Sequence, residues 1–384
     1  MTNCLRWLLI LPAVAALCSP AAALDHVTLK RDGRESLLDG QVLVKAVDGG
    51  LLVLARDGVL WNVLPEEIVQ HTSDDGPFES LEPAELGKLL LAQLPAGFEV
   101  YTTSNYVICY NTSKAYAQWC GALFEQLYRA FTNYWHKQGF DLTKPRFPLV
   151  AIVFADRASY AAHARPEVGA GVESIIGYYS LQTNRMTMYD LTGIQALRRP
   201  GDRRTTAAQI NEMLARPEAE QMVATIVHEA THQIAFNCGL QTRFADIPLW
   251  VSEGVAVYFE TPDLRSSTGF GALGSVNKMR LITFRNYLSQ RPPNSLKTLI
   301  VDDTRFRDVN KAQDAYAEAW ALNYFLIRKH KDQYLEYFKK LATKPPLIED
   351  GPDARLAEFQ KAFGDNLQQL DAEFLRYMST VRGR

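Results

Sequence analysis

Two histidines four residues apart with a glutamate after the first, His228-Glu229-Ala230-Thr231-His232, are the residues of this chain best suited to chemistry. Histidine is scarce, seven in 384 residues, so their pairing is informative. On a helix, positions i and i+4 stack on one face. Two ring nitrogens can then meet one ion at about 2.0–2.1 Å. Glu229 lies next to that face, where a carboxylate can act as general base on a metal-bound water. A catalytic zinc takes three protein ligands and keeps one position open. About twenty residues on, Glu253 stands among Trp250, Val251, Val255 and Ala256, where an unpaired buried carboxylate is costly and a cation opposite removes that cost. The residues therefore suggest a site for Zn2+ made of His228, His232 and Glu253, with Glu229 as base. The competing readings are bland ones. The histidines could be satisfied by core hydrogen bonds, and Glu253 could be a surface residue favoured by the positive end of a helix.

The flanking residues supply the elements that such a site needs. Pro217 suits a first helical turn, Glu218 and Glu220 suit its positive end, and Gly239 suits the stop. One helix over 217–238 should carry the motif. Pro248 can open a second helix and Pro262 can end it. Gly254, without a side chain, allows another helix to come close. Glu260, seven residues past Glu253, returns to the same helix face. It is either an acceptor that orients a ligand histidine or a capping or surface carboxylate.

Over these residues the chain resembles the gluzincin metallopeptidases, the group containing thermolysin and the aminopeptidase-N family, which carry His-Glu-x-x-His on one helix and a glutamate ligand on the next. Gln233 after His232, Asn237 five residues further, and the run Ser252-Glu253-Gly254-Val255-Ala256-Val257-Tyr258-Phe259-Glu260 lean toward the aminopeptidase-like branch. Tyr316, about sixty residues beyond Glu253, falls where that branch keeps its transition-state tyrosine; a core aromatic of the helix 314–328 is the competing reading. The resemblance places Asn237 with Glu260 around the ligands. The whole layout is also similar to an uncharacterised bacterial family of secreted, peptidase-MA-like proteins with the pattern Trp-x-Ser-Glu-Gly-x-Ala-x-Tyr-Phe-Glu, which here reads Trp250 to Glu260. The aminopeptidases' Gly-x-Met-Glu-Asn stretch, which binds a free amine, is absent from 177–190, and that counts against exopeptidase activity.

The remainder of the chain frames this site. Residues 25–75 read as short strands (Val27–Lys30, Gln41–Val44, Leu51–Leu54, Val59–Val63) with Asp-Gly turns at 32–33, 39–40, 48–50 and 57–58, a hairpin signal. His71 to Pro83 reads as a linker. Strands are expected within 98–110 and over 148–154, a helix over 113–137, a hairpin around 182–184, a helical stretch from Thr205 into the motif, and helices from about 265 to 381. The expectation is an α+β protein. Residues 1–23 form a signal peptide, 24–75 a small antiparallel β module, and 76–97 a linker and helix. A zincin-like mixed α/β catalytic domain follows over 98–265, as the resemblance implies, and a helical domain over 266–384.

The apolar run from Trp7 to Leu17, with Ala21-Ala22-Ala23 after it, has the layout of a cleavable leader. This leads to a secreted or periplasmic product with no membrane span in its mature form; Leu17 before Cys18 disfavours lipidation. Of five cysteines, Cys109, Cys120 and Cys238 would remain, either as buried thiols or with a Cys109–Cys120 bridge. A net charge of −2 gives no basic field for nucleic acid. The expected activity is zinc-dependent hydrolysis of a peptide or protein substrate. The alternative keeps the metal without proteolysis, as a non-peptide hydrolase or a binding protein.

Overall fold

A computed structural model describes residues 23–194, 197–261 and 274–383. The segment expected as a leader, with Cys4 and Cys18, and Pro262, expected as a helix stop, fall outside the described residues. The described residues form two compact units: 23–56 with 61–79, and 57–60 with those from 80 onward.

The first unit is a five-stranded sheet of order β4-β3-β2-β1-β5. Its strands are β1 (Ala23–Arg31), β2 (Arg34–Lys45), β3 (Leu51–Ala55), β4 (Leu60–Val63) and β5 (Ile68–Pro77). Asp32-Gly33 turns with positive φ at both residues, as hairpin turn chemistry requires. Asp39-Gly40, expected as a turn, instead lies within β2. Gly40 pairs with both Asp25 and Ala55, and an added Cβ would sit 2.6 Å from the Leu54 carbonyl oxygen. The expected linker from His71 is β5 as far as Pro77. Its polar, exposed sequence hides a strand because β5 is at the sheet edge. It is held to β1 by pairing and by Asp25, whose carboxylate accepts from Ser73 Oγ (2.6 Å) and His71 Nε2 (2.7 Å).

The second unit contains a mixed sheet of order β6-β7-β8-β10-β9, from β6 (Glu99–Thr102), β7 (Tyr106–Tyr110), β8 (Leu149–Phe154), β9 (Gly177–Tyr179) and β10 (Arg185–Tyr189). β7, β8 and β10 are parallel, and every residue of β7 and β8 is buried, the unbroken apolar pattern of strands covered on both faces. β9 and β10 form the expected hairpin and put β9 at an edge. Helices α1 (Pro83–Gln93), α2 (Lys114–Lys137) and α3 (Arg157–Val168) pack on the sheet. Ser113 and Asp156 cap the last two through their side chains.

The expected helical stretch from Thr205 is α4 (Ala207–Leu214), and the motif helix is entered through a tight turn at Pro217–Ala219 and runs as α5 (Glu220–Asn237). α5 ends at Gly239 with φ +78°. α6 (Leu249–Phe259) follows. The remaining helices are α7 (Lys278–Tyr287), α8 (Ser295–Val301), α9 (Thr304–Arg307), α10 (Ala312–Lys329), α11 (Lys331–Ala342), α12 (Pro352–Phe363) and α13 (Leu367–Thr380).

Residues on both sides of 265, expected as separate domains, fall in this one unit and share one apolar core from Leu86 to Val381. Gly254 is the reason α10 can lie on α6. A Cβ there would overlap Asn323 Nδ2 and stand 3.0 Å from the Ala319 carbonyl oxygen. Asn323 Nδ2 donates to the Trp250 carbonyl (2.8 Å), tying the two helices together. No disulfide forms among the described residues: Cys109, Cys120 and Cys238 are free and buried, and burial pushes the Cys109 thiol up to about 11. No described helix is long and apolar enough to cross a membrane.

Candidate metal centre

α5 projects His228 and His232 from one face, one turn apart, while Val223, Val227, Ala230 and Ile234 bury the rest of the helix. α6 packs against α5 and brings Glu253 to the two rings. Glu253 Oε2 lies 3.0 Å from His228 Nε2 and 3.4 Å from His232 Nε2, and the two Nε2 atoms are 3.2 Å apart. Three donors tetrahedrally placed at 2.0–2.1 Å around one ion would be separated by about 3.3 Å. The observed triangle has that size, so His228, His232 and Glu253 can hold a metal ion.

The far side of each ring is anchored. His228 Nδ1 donates to Glu260 Oε2 (3.1 Å), and His232 Nδ1 faces Ser252 Oγ at 3.4 Å. Ser252 Oγ in turn donates to Gln241 Oε1 (3.1 Å). Glu260 Oε1 accepts from Asn277 Nδ2 (2.9 Å) and Arg280 Nε (3.2 Å). Such partners set the tautomer and aim the Nε2 lone pairs at the common point. Burial lowers the His228 imidazole, but its hydrogen bonds to Glu253 and Glu260 outweigh that and push it up to about 10.

Glu229 borders the same cavity, about 580 Å³ in volume, as His228, His232, Glu253 and Tyr316. Its Oε2 accepts from the backbone N–H of Tyr179 on the edge strand β9 (2.9 Å). Enclosure pushes its carboxyl above the ordinary range, against the pull of the histidines. Tyr316, on α10, packs edge-on to His228 (6.3 Å between ring centres), and the charge of Glu253 together with burial raises its hydroxyl well above the usual phenol value. Arg280 lies over the Tyr316 ring (5.4 Å).

Of the residues singled out in the sequence, the structure gathers His228, Glu229, His232, Glu253, Glu260 and Tyr316 in one place. Asn237 is not among them. It exchanges hydrogen bonds with Asn184 (2.7 and 2.9 Å) in the turn between β9 and β10, and donates to the Gln233 carbonyl. Five residues beyond His232, at about 100° per residue, it has rotated onto another face of α5. It fixes the hairpin to the helix. Ser252 lay within the quoted motif with no role attached. Asn277 and Arg280 carried no local signal, since only their packing against Glu260 distinguishes them.

Residues 222–348 match the model of a family described as a protein of unknown function (DUF1570). The matched stretch runs from α5 to the loop after α11 and contains all three metal-cluster residues with Glu229, Glu260 and Tyr316. No curated protein matches the chain.

Proposed function

We propose that this protein is an exported, gluzincin-like zinc hydrolase that cleaves peptide bonds, with His228, His232 and Glu253 as ligands. The observation that carries the reading is the Nε2–Nε2–Oε2 triangle with Glu229 lining the same cavity. Two imidazoles and one carboxylate with an open fourth position suit zinc, which when bound would bring its water to a pKa of about 7 and stabilise charge on a carbonyl oxygen. Glu229 takes the proton as water attacks the carbonyl and passes it to the leaving amine. The Tyr179 N–H keeps Glu229 Oε2 engaged, so Oε1 does this work. The Tyr316 hydroxyl, beside Glu253, is the group available to donate to the developing oxyanion.

Internal rather than terminal cleavage fits the neighbouring hairpin. The one carboxylate in 177–190, Asp190, is buried and engaged with Thr112 and Thr192, so it offers nothing to a free amine. The test is Glu229→Gln, assayed on a proteome-derived peptide library with and without chelator. The variant should keep stoichiometric zinc while turnover falls by about 10²–10⁴. Zinc-loaded wild-type protein that cleaves no peptide would instead favour a non-peptide hydrolase or a zinc-bearing binding protein.

A further inference from the structure

One wall of the cavity is built under backbone strain. Phe244, in the loop between α5 and α6, has φ +59°, and Leu347, in the loop between α11 and α12, has φ +62°. Bulky side chains rarely occupy this left-handed region, and persist there where surrounding contacts over-determine the backbone. Those contacts are present. Leu347 N–H donates to the Phe244 carbonyl (2.8 Å), Ala245 bridges Pro346, and Lys344 Nζ donates to the Asp246 carbonyl (3.2 Å).

At the centre of the clamp is Arg355, near the start of α12 and more than 120 residues beyond the histidines. Its Nε reaches Asp246 Oδ2 (3.0 Å), its Nη2 bonds Asp246 Oδ1, and its Nη1 reaches Asp303 Oδ2 (3.0 Å). Asp303 Oδ1 in turn accepts from Leu249 N–H (3.0 Å), the first residue of the helix that carries Glu253. All three charged groups are largely shielded from solvent. The guanidinium pairs with two of the carboxylates that line the cavity, and Leu181, Phe236, Phe244, Ile247 and Leu249 line the same cavity as Glu229 and His232.

We infer that Phe244 is a specificity-determining residue, forming the wall against which an apolar substrate side chain packs, and that Arg355 is its positioning residue. The inference rests on the peptide-cleaving reading above. Strain held at a cavity wall by a dedicated ion cluster is what a recognition surface needs, because the ring must already be in place when the substrate arrives.

The test uses zinc-loaded full-length chain in the inert Glu229→Gln background, titrated calorimetrically with blocked peptides that carry one Phe in an otherwise Ala sequence, moved position by position. At one position Phe should bind about tenfold or more tighter than Ala. Phe244→Gly removes the ring and relieves the left-handed strain. It should abolish that preference while the thermal midpoint stays level or rises. Phe244→Asn, also tolerant of positive φ, should do the same. Arg355→Lys, which keeps the charge but loses the fork, should weaken Phe-peptide binding and leave affinity for zinc alone unchanged.

A preference that survives Phe244→Gly overturns the inference. So does a fall in thermal midpoint with the preference intact, which would mark the ring as packing only, and so does loss of zinc in Arg355→Lys. Cleavage by the wild type with no apolar preference overturns this inference alone, whereas a wild type that neither binds nor cleaves any peptide overturns it together with the peptide-cleaving reading.

Discussion

Two carboxylates on the packed pair α6 and α10 are withdrawn from water and meet opposite environments. Glu318, on α10, is fully buried and saturated: it accepts from Arg291 Nε (2.8 Å), Arg305 Nη2 (2.7 Å) and Ser295 Oγ (2.7 Å), and Arg291 is shared with Asp371 (2.6 Å). Its partners are guanidinium groups that never lose their charge. Glu253, on α6, faces two imidazole Nε2 atoms whose opposite nitrogens are directed at Glu260 and Ser252. Burial of a carboxylate is therefore not in itself the mark of a metal site. The first cluster is closed by fixed cations and contributes structure. The second gathers two imidazole nitrogens and a carboxylate oxygen around a point that could hold a metal ion.

The contrast can be broken at either end. The largest effect is expected from Glu253→Ala, which removes one of three protein ligands: zinc affinity, measured by competition with a chromophoric chelator, should fall by about three orders of magnitude. Retention of stoichiometric zinc would dissolve the distinction between the two clusters. Next comes Glu318→Ala, which strands Arg305 and should destabilise the fold by about 3–5 kcal/mol in denaturant unfolding without changing zinc affinity in the folded fraction. An altered zinc affinity there would mean that the clusters are coupled through α10.

Glu260→Gln keeps an acceptor for His228 but loses the charge, and should weaken zinc by about 10–100-fold. Ser252→Ala should do least, under about tenfold, because its contact to His232 is long at 3.4 Å. A Ser252 effect larger than that of Glu260 would reverse the ranking of the two anchoring partners.

Legibility in the sequence varied for physical reasons. The strands at 106–110 and 149–154 stood out as continuous apolar runs because a covered parallel sheet wants apolar side chains on both faces. β5 did not, because an edge strand with polar, exposed side chains has no alternation to detect. Asp39-Gly40 looked like a turn, yet the glycine serves close strand packing inside β2. Tyr316 was suggested by family spacing alone; its place beside Glu253 follows from α10 lying on Gly254. Asn237 was misplaced because adjacency in a motif does not mean a shared helix face.

His228, Glu229 and His232 were determined locally: at 3.6 residues per turn, four-residue spacing presents two imidazoles on one side with the glutamate adjacent. The same periodicity relates Glu253 to Glu260. Helix geometry acts over a few residues, so these relations hold wherever the helices lie. Tertiary structure alone decided that α6 approaches α5 closely enough to complete the triangle, that Ser252 and Glu260 stand behind the rings, and that Arg355 shapes the wall from a distant helix. Those contacts join residues 20 to 109 positions apart. They depend on how side-chain volumes pack between helices, which no local spacing encodes.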